Sequence, residues 1–192
     1  MKILLTVFVL LFSFSVVAED ISDFQIEGIN IGDSLLDYIS ENEIKNEIKS
    51  TRYMYDYLSE DFGEVYLFDG LHTYESMSFI VKPDDEKFII YRFRGIIKYI
   101  EDLKGCHKKQ NEIAEEISKM FKDVKKRETS YKHRVDPTGR STLDAIIFIF
   151  NSGDTIQVRC SNYEEKLRLK NNWSEGLSVI ISKKEVIDWL SS

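Results

Sequence analysis

The stretch KGCHKKQNEIAEEISKMF, residues 104–121, decides how the rest of the chain is read. Ile113, Ile117, Met120, Phe121 and, just beyond, Val124 recur three and four residues apart, the spacing of one helical face. Cys106, seven residues before Ile113, falls on the same face. Glu112, Glu115 and Glu116 alternate with Lys119 and Lys122 on the other side, as a solvated surface does. The spacing predicts an amphipathic helix from about Leu103 to Val124, roughly five turns at ~3.6 residues per turn, laid on a sheet.

Cys106 stands beside His107 in the first turn of that helix. Thiol catalysis needs a base within hydrogen-bond reach of the sulfur and usually a third group to orient the base. Adjacent helical residues point about 100° apart, which turns His107 to solvent when Cys106 faces the core. The other cysteine, Cys160, lies in TIQVRCSNY (155–163), where Ile156, Val158 and Cys160 point one way and Gln157 and Arg159 the other. Both sulfurs therefore face the core, and because these two cysteines belong to a chain whose N-terminus reads as an export signal, a Cys106–Cys160 disulfide is expected. It closes a loop of 55 residues, and loop-closure entropy values such a link at about 4 kcal/mol.

Strand signals flank the helix. Upstream, YMYDYL, EVYLF, TYESMSFIVK and KFIIYRFRGIIKYI are aromatic and β-branched, separated by SEDFG, DGLH and PDDE. Residues 74–82 and 87 to about 99 read as a hairpin turning at Pro83-Asp84-Asp85, with Gly95 marking a bulge or a close backbone approach. Downstream come RETSYKHRV, the turn DPTG with Asp136, Pro137 and Gly139 at favoured type I positions, STLDAIIFIF, the turn NSGD, TIQVRCSNY and LSVIIS. Helices are expected at both termini: Asp33 or Ser34 caps a short one, Ser40 with Glu43 forms a capping box for another, and Lys183–Leu190 closes the chain. The pattern INIGDSLLDYIS (29–40) resembles the turn-into-helix opening of small envelope proteins of the outer-membrane assembly lipoprotein and β-lactamase-inhibitor kind. The likeness covers a dozen residues of capping chemistry and implies no function. Strands in runs joined by short turns imply antiparallel pairing. The expected fold is α+β: a mostly antiparallel sheet of about six to eight strands, one long amphipathic helix packed on it, and short terminal helices.

The N-terminus reads as a secretory signal. Lys2 precedes an uncharged run from Ile3 to Val17, and Val16 and Ala18 suit the −3 and −1 positions of cleavage before Glu19. The run is shorter than the ~20 apolar residues of a membrane span, and no cysteine follows it to carry a lipid. Residues 1–18 are thus expected to be removed and 19–192 to form one domain in the periplasm or outside the cell, consistent with a bacterial-type composition and with paired cysteines. Removing Lys2 leaves 25 basic and 33 acidic residues, an acidic balance that argues against nucleic acid as a partner.

The charge is unevenly spread. Residues 119–140 carry eight basic and three acidic side chains, so this segment is +5 while the rest of the mature chain is −13. Lys125, Lys126, Arg127, Tyr131, Lys132, His133, Arg134 and Arg140 form a candidate anion-binding edge, with the bland alternative that they complement a helix dipole and guard an edge strand. His72, His107 and His133 are too far apart for a sequence-local zinc motif, and neither acidic turn has EF-hand spacing. No metal or other cofactor is implied. GxSxG, SxxK and Gly-rich phosphate loops are absent. Asn172-Trp173-Ser174 is a sequon only in a eukaryotic pathway. These readings point to a non-enzymatic binding or accessory module of the envelope, its partner an envelope protein or an anionic envelope component. The alternative is a small envelope hydrolase whose polar residues converge only in the fold.

Overall fold

The computed structural model describes residues 20–54 and 61–192. The expected signal, residues 1–18, lies outside the described residues. Among those described, β1 (Gln25–Ile26) and β2 (Ile29–Asn30) form a small ribbon, and seven further strands form one antiparallel sheet. They are β3 (Gly63–Leu67), β4 (Ser76–Val81), β5 (Ile90–Lys98), β6 (Lys125–Lys132), β7 (Thr142–Ile149), β8 (Thr155–Asn162) and β9 (Gly176–Ser182), in the spatial order β3-β4-β5-β9-β8-β7-β6. Two meanders meet where β5 pairs β9, and the long helix α2 (Leu103–Met120) carries the chain from the middle of the sheet to its far edge. The α+β expectation is met, with α2 packed on β8 and β9.

The sequence explains how α2 begins and which way it faces. Asp102 caps it by accepting from the Gly105 amide (2.8 Å). Its buried stripe is Cys106, Gln110, Ala114 and Ile117, continued by Phe121 at the C-cap. This differs from the stripe read off the sequence: Met120 is exposed and Ile113 only partly covered. The helix turns Gln110 inward instead, where its amide donates to the carbonyls of Asp144 (2.7 Å) and Val158 (2.9 Å), so a polar residue occupies a core position with its donors satisfied. It ends at Met120 rather than near Val124, because the chain leaves helical geometry at Phe121 and drops that ring into the core. Cys106 and Cys160 are bonded, with Cα atoms 6.0 Å apart, and both are buried.

The core lies on the face of the sheet that carries both long helices. Val65, Phe79, Phe93, Ile181, Ile156 and Phe148 form one cross-strand row of it, pairing in register from β3 to β7. Helix α1 (Glu41–Met54) adds Ile44 and Ile48, and starts from the expected Ser40–Glu43 capping box. The YMYDYL stretch differs from expectation: Tyr53 and Met54 complete α1, and 55–58 lie outside the described residues. The short helix expected after Ser34 is a single 3-10 turn, Leu35–Asp37, tied to the sheet by a bridge between Ser34 and Ile89. Strand β5 begins at Ile90 and not at Lys87. Asp85 gathers the amides of Lys87 (3.0 Å) and Ile89 (3.2 Å) into a turn, and Phe88 adopts a positive φ that buries its ring. A helix not anticipated, α3 (Glu165–Asn171), lies between β8 and β9, and α4 (Lys184–Ser191) seals one end with Val186 against Phe62 and Ile80.

Gly95 has a definite role. The ring of Tyr74 lies where a side chain at 95 would project, 2.5 Å from an added Cβ, so a tyrosine covers a glycine across the strands. Burial, reinforced by the Glu27 carboxylate, pushes the Tyr74 hydroxyl up to about 12. Gly95→Ala should lower the unfolding free energy by about 1–3 kcal/mol through overpacking, measured by urea unfolding. The same change in a Tyr74→Ala background should cost much less.

Candidate anion-binding site

The two faces of the sheet end differently. On the helix-bearing face a groove of about 530 Å³ opens between α2 and the β6–β7 edge, lined by His107, Gln110, Asn111, Glu128, Ser130 and Asp144 among others. His107, expected to face solvent, turns to β7 and places Nε2 3.0 Å from an Asp144 carboxylate oxygen. Ser130 is the register partner of Asp144, so hydroxyl, carboxylate and imidazole share one neighbourhood. Several polar groups there are already engaged: Asp144 with His107, Glu128 with Lys126 (2.9 Å), Gln110 with two carbonyls. Among the described residues the hydrogen bond of the His107 ring is the one to Asp144.

The opposite face is polar and carries arginines. Strand register sets Tyr66, Ser78, Arg94, Ile180, Gln157, Ile147 and Arg127 in one cross-strand row. The next row holds Ser76, Ile96, Ser178, Arg159, Ala145 and Thr129. Ile96 and Ile180 are buried on this face, under long polar side chains whose stems cover apolar surface. Arg94 reaches from β5 to Ser178 on β9, its Nε donating to the serine hydroxyl (3.0 Å), and Arg159 lies directly across from that serine on β8. Two guanidinium groups thus converge over β9.

They converge without a counter-charge. No carboxylate pairs with either arginine among the described residues, although this acidic chain pairs Arg140 with Glu164, Arg168 with Glu175 and Lys183 with Asp154 elsewhere. Burial, with Arg159 and Arg92 adding like charge, pulls Arg94 down to about 10 from an ordinary 12.5. Three buried polar atoms beside the pair have no hydrogen-bond partner among the described residues: Arg159 Nε, Ser161 Oγ and His133 Nδ1. Buried polar groups are usually satisfied, so three left without partners are unusual. Burial also lowers the His133 pKa, with Arg159 the second cause.

The surrounding turns hold these groups in place. Asp136 accepts from the Thr138 amide (2.8 Å) and hydroxyl (2.7 Å) and from the Ser141 amide (2.7 Å), which keeps its carboxyl well below the usual range. The expected DPTG turn closes through the Gly139 amide to the Asp136 carbonyl (3.2 Å), and Ser141 then accepts the His133 amide (2.9 Å). Buried Glu175 accepts the Tyr163 amide (3.3 Å) and faces Arg168.

The edge read from sequence is divided between the two faces. By register, Lys125, Arg127 and Tyr131 lie on the arginine face, while Lys126 and Lys132 lie on the groove side. His133 packs against Tyr163 and Trp173, Arg140 pairs with Glu164, and Arg134 is exposed beyond the strand. Arg94 and Arg159 were passed over because an arginine opposite a core residue reads as solvated. The signal available was their mid-strand position in RFR and VRC, flanked by buried residues. Among the described residues no group of three or more His, Cys, Asp or Glu side chains is placed to hold a metal ion, and no helix is long and apolar enough to cross a membrane. Comparison with protein-family models, with curated proteins and with solved structures finds no match.

Proposed function

We propose that the protein is an exported, non-enzymatic binding module that takes an oxyanion, phosphate-like or carboxylate, on the polar face of its sheet. Arg94 and Arg159 hold the charge. The observation that carries the reading is their convergence without a carboxylate partner in a chain where acids outnumber bases. Two like charges held together and partly desolvated are costly alone, and a bound oxyanion offsets that cost with charge-assisted, bidentate hydrogen bonds. Lys125 and Arg127 at the rim add a field that draws anions to the same face. Export is supported by the apolar run Ile3–Val17 and by the buried disulfide. An anionic component of the cell envelope is the natural occupant, and an acidic protein side chain presents the same chemistry.

Urea unfolding in inorganic phosphate, against chloride at matched ionic strength, tests this. Phosphate should stabilise the fold as a saturable ligand, by about 2.7 kcal/mol at a hundred times its Kd. Serine at Lys125, Lys126, Arg127 and Arg134 should leave a saturable response of weaker affinity, while Arg159→Met should remove it. No phosphate-specific stabilisation, or a response that survives Arg159→Met, overturns the reading.

A further inference from the structure

We infer that the outer edge of β6 is a docking site for an extended acidic segment of another protein, which joins the sheet there as an added antiparallel strand. β6 stands at the end of the strand order, and among the described residues nothing pairs with its outer side. It pairs β7 residue for residue, from Lys125 opposite Ile149 to Lys132 opposite Thr142. Just beyond the strand His133 donates its amide to the Ser141 carbonyl (2.9 Å), which fixes the phase of the ladder. The hydrogen bonds to β7 therefore belong to the odd-numbered residues, and the N–H and C=O groups of Lys126, Glu128, Ser130 and Lys132 point outward. Every residue of β6 except half-buried Thr129 is exposed, because α2 packs chiefly on β8 and β9 and leaves this strand uncovered. The groove of about 530 Å³ between α2 and the β6–β7 edge gives room to the side chains that an added strand turns toward the helix.

Charge selects the occupant. Lys126 holds Glu128 within the strand (2.9 Å), whereas Lys125 and Arg127, on the face away from α2, have no carboxylate partner among the described residues. In an added antiparallel strand the residues opposite Lys125 and Arg127 form the closer, non-hydrogen-bonded pairs, with Cα atoms ~4.5 Å apart. Acids at alternate positions of the partner therefore meet both cations, and opposite charges in such pairs are stabilising. A second copy of this chain fits poorly: added about a two-fold axis at Thr129, it sets Lys126 opposite Lys132 twice, and like charges directly opposite are destabilising. Lysine also discourages edge pairing. β6 nevertheless has no proline and no break in register, so its edge stays open to a strand of opposite charge. This surface is separate from the paired arginines, which lie on β5 and β8.

Titration of the disulfide-bonded protein with a capped octapeptide that alternates threonine and glutamate, followed by amide NMR and hydrogen exchange, tests the inference. The peptide should bind saturably, and the exchange of the Lys126, Glu128, Ser130 and Lys132 amides, fast in the free protein, should slow in the complex. With the glutamates over Lys125 and Arg127, the threonine amides are the ones that face β6. N-methylation at the threonines should therefore abolish binding, while N-methylation at the glutamates should leave it intact. Lys125→Ser with Arg127→Ser should weaken binding about five- to tenfold at low salt, the worth of two exposed ion pairs. Ser130→Pro removes one outward N–H at a position where an edge strand tolerates proline, and should abolish binding with the urea midpoint little changed. Arg159→Met should bind the peptide as the unaltered protein does, which keeps this outcome distinct from that of the phosphate experiment. No saturable binding, equal binding of the two N-methylated peptides, loss of binding in Arg159→Met, or tighter binding of the threonine–lysine peptide would each overturn the inference, as would a stable dimer of the free protein that protects the same four amides.

Discussion

Replacing both Cys106 and Cys160 with alanine should lower the unfolding free energy by about 4 kcal/mol, the entropy of opening the 55-residue loop they close. The bond joins the first turn of α2 to the middle of the β8–β9 region, and both sulfurs are fully buried. What remains to hold α2 is the buried stripe of Gln110, Ala114, Ile117 and Phe121, with Leu103 and Ile113 partly covered beside it. With a urea m-value of roughly 2 kcal/mol/M the midpoint should fall by about 2 M. Reduction of the unaltered protein isolates the loop term from the cavities that alanine adds and should give most of the same shift. Hydrogen exchange should locate the effect, with α2 amides opening far more readily than those of the β3–β4–β5 meander. A midpoint change below about 0.5 M would mean that the helix is held by packing alone.

The second large effect combines two opposite signs at one residue. Arg159→Met should weaken phosphate binding by roughly a hundredfold or more, since two charge-assisted hydrogen bonds of about 1.5–3 kcal/mol each are lost. The same substitution should stabilise the ligand-free fold by about 1–2 kcal/mol, because it removes a like charge beside Arg94 and a buried Nε without a partner, and keeps the stem that covers the sheet. Arg94→Met should behave in the same direction with a smaller gain, since it also forfeits the bond to Ser178. A purely structural arginine would show the reverse: destabilisation on replacement and no change in anion affinity. Urea unfolding and calorimetric titration on the same samples read both signs.

Periodicity made some of this legible in the sequence and topology hid the rest. The disulfide followed from two cysteines behind a stretch that reads as an export signal, where pairing is the default, and helical spacing and strand alternation put Cys106 and Cys160 on core faces. The antiparallel class followed from strands joined by short turns. The buried face of α2 was rotated from expectation because Gln110, a polar residue, takes a core position once two backbone carbonyls of β7 and β8 lie opposite it, and those carbonyls come from segments 34 and 48 residues away. Arg94 and Arg159 were out of reach for the same reason. Each reads singly as a solvated strand residue, and only the insertion of β9 between β5 and β8 brings them to one serine. His133 was legible as a member of a basic segment, but its packing on Tyr163 and Trp173 depends on the loop after α3, where Asn172 ends that helix in a left-handed conformation.

The most direct measurement is a side-chain NMR titration that follows the arginine Nε–Hε resonances as inorganic phosphate is added. The Arg94 and Arg159 signals should move together along one saturable curve, accompanied by the His133 ring, while those of Arg52 and Arg140 stay in place. Saturable shifts confined to Arg127 and Arg134, or shifts at every arginine that scale with ionic strength without saturating, would contradict the paired-arginine site.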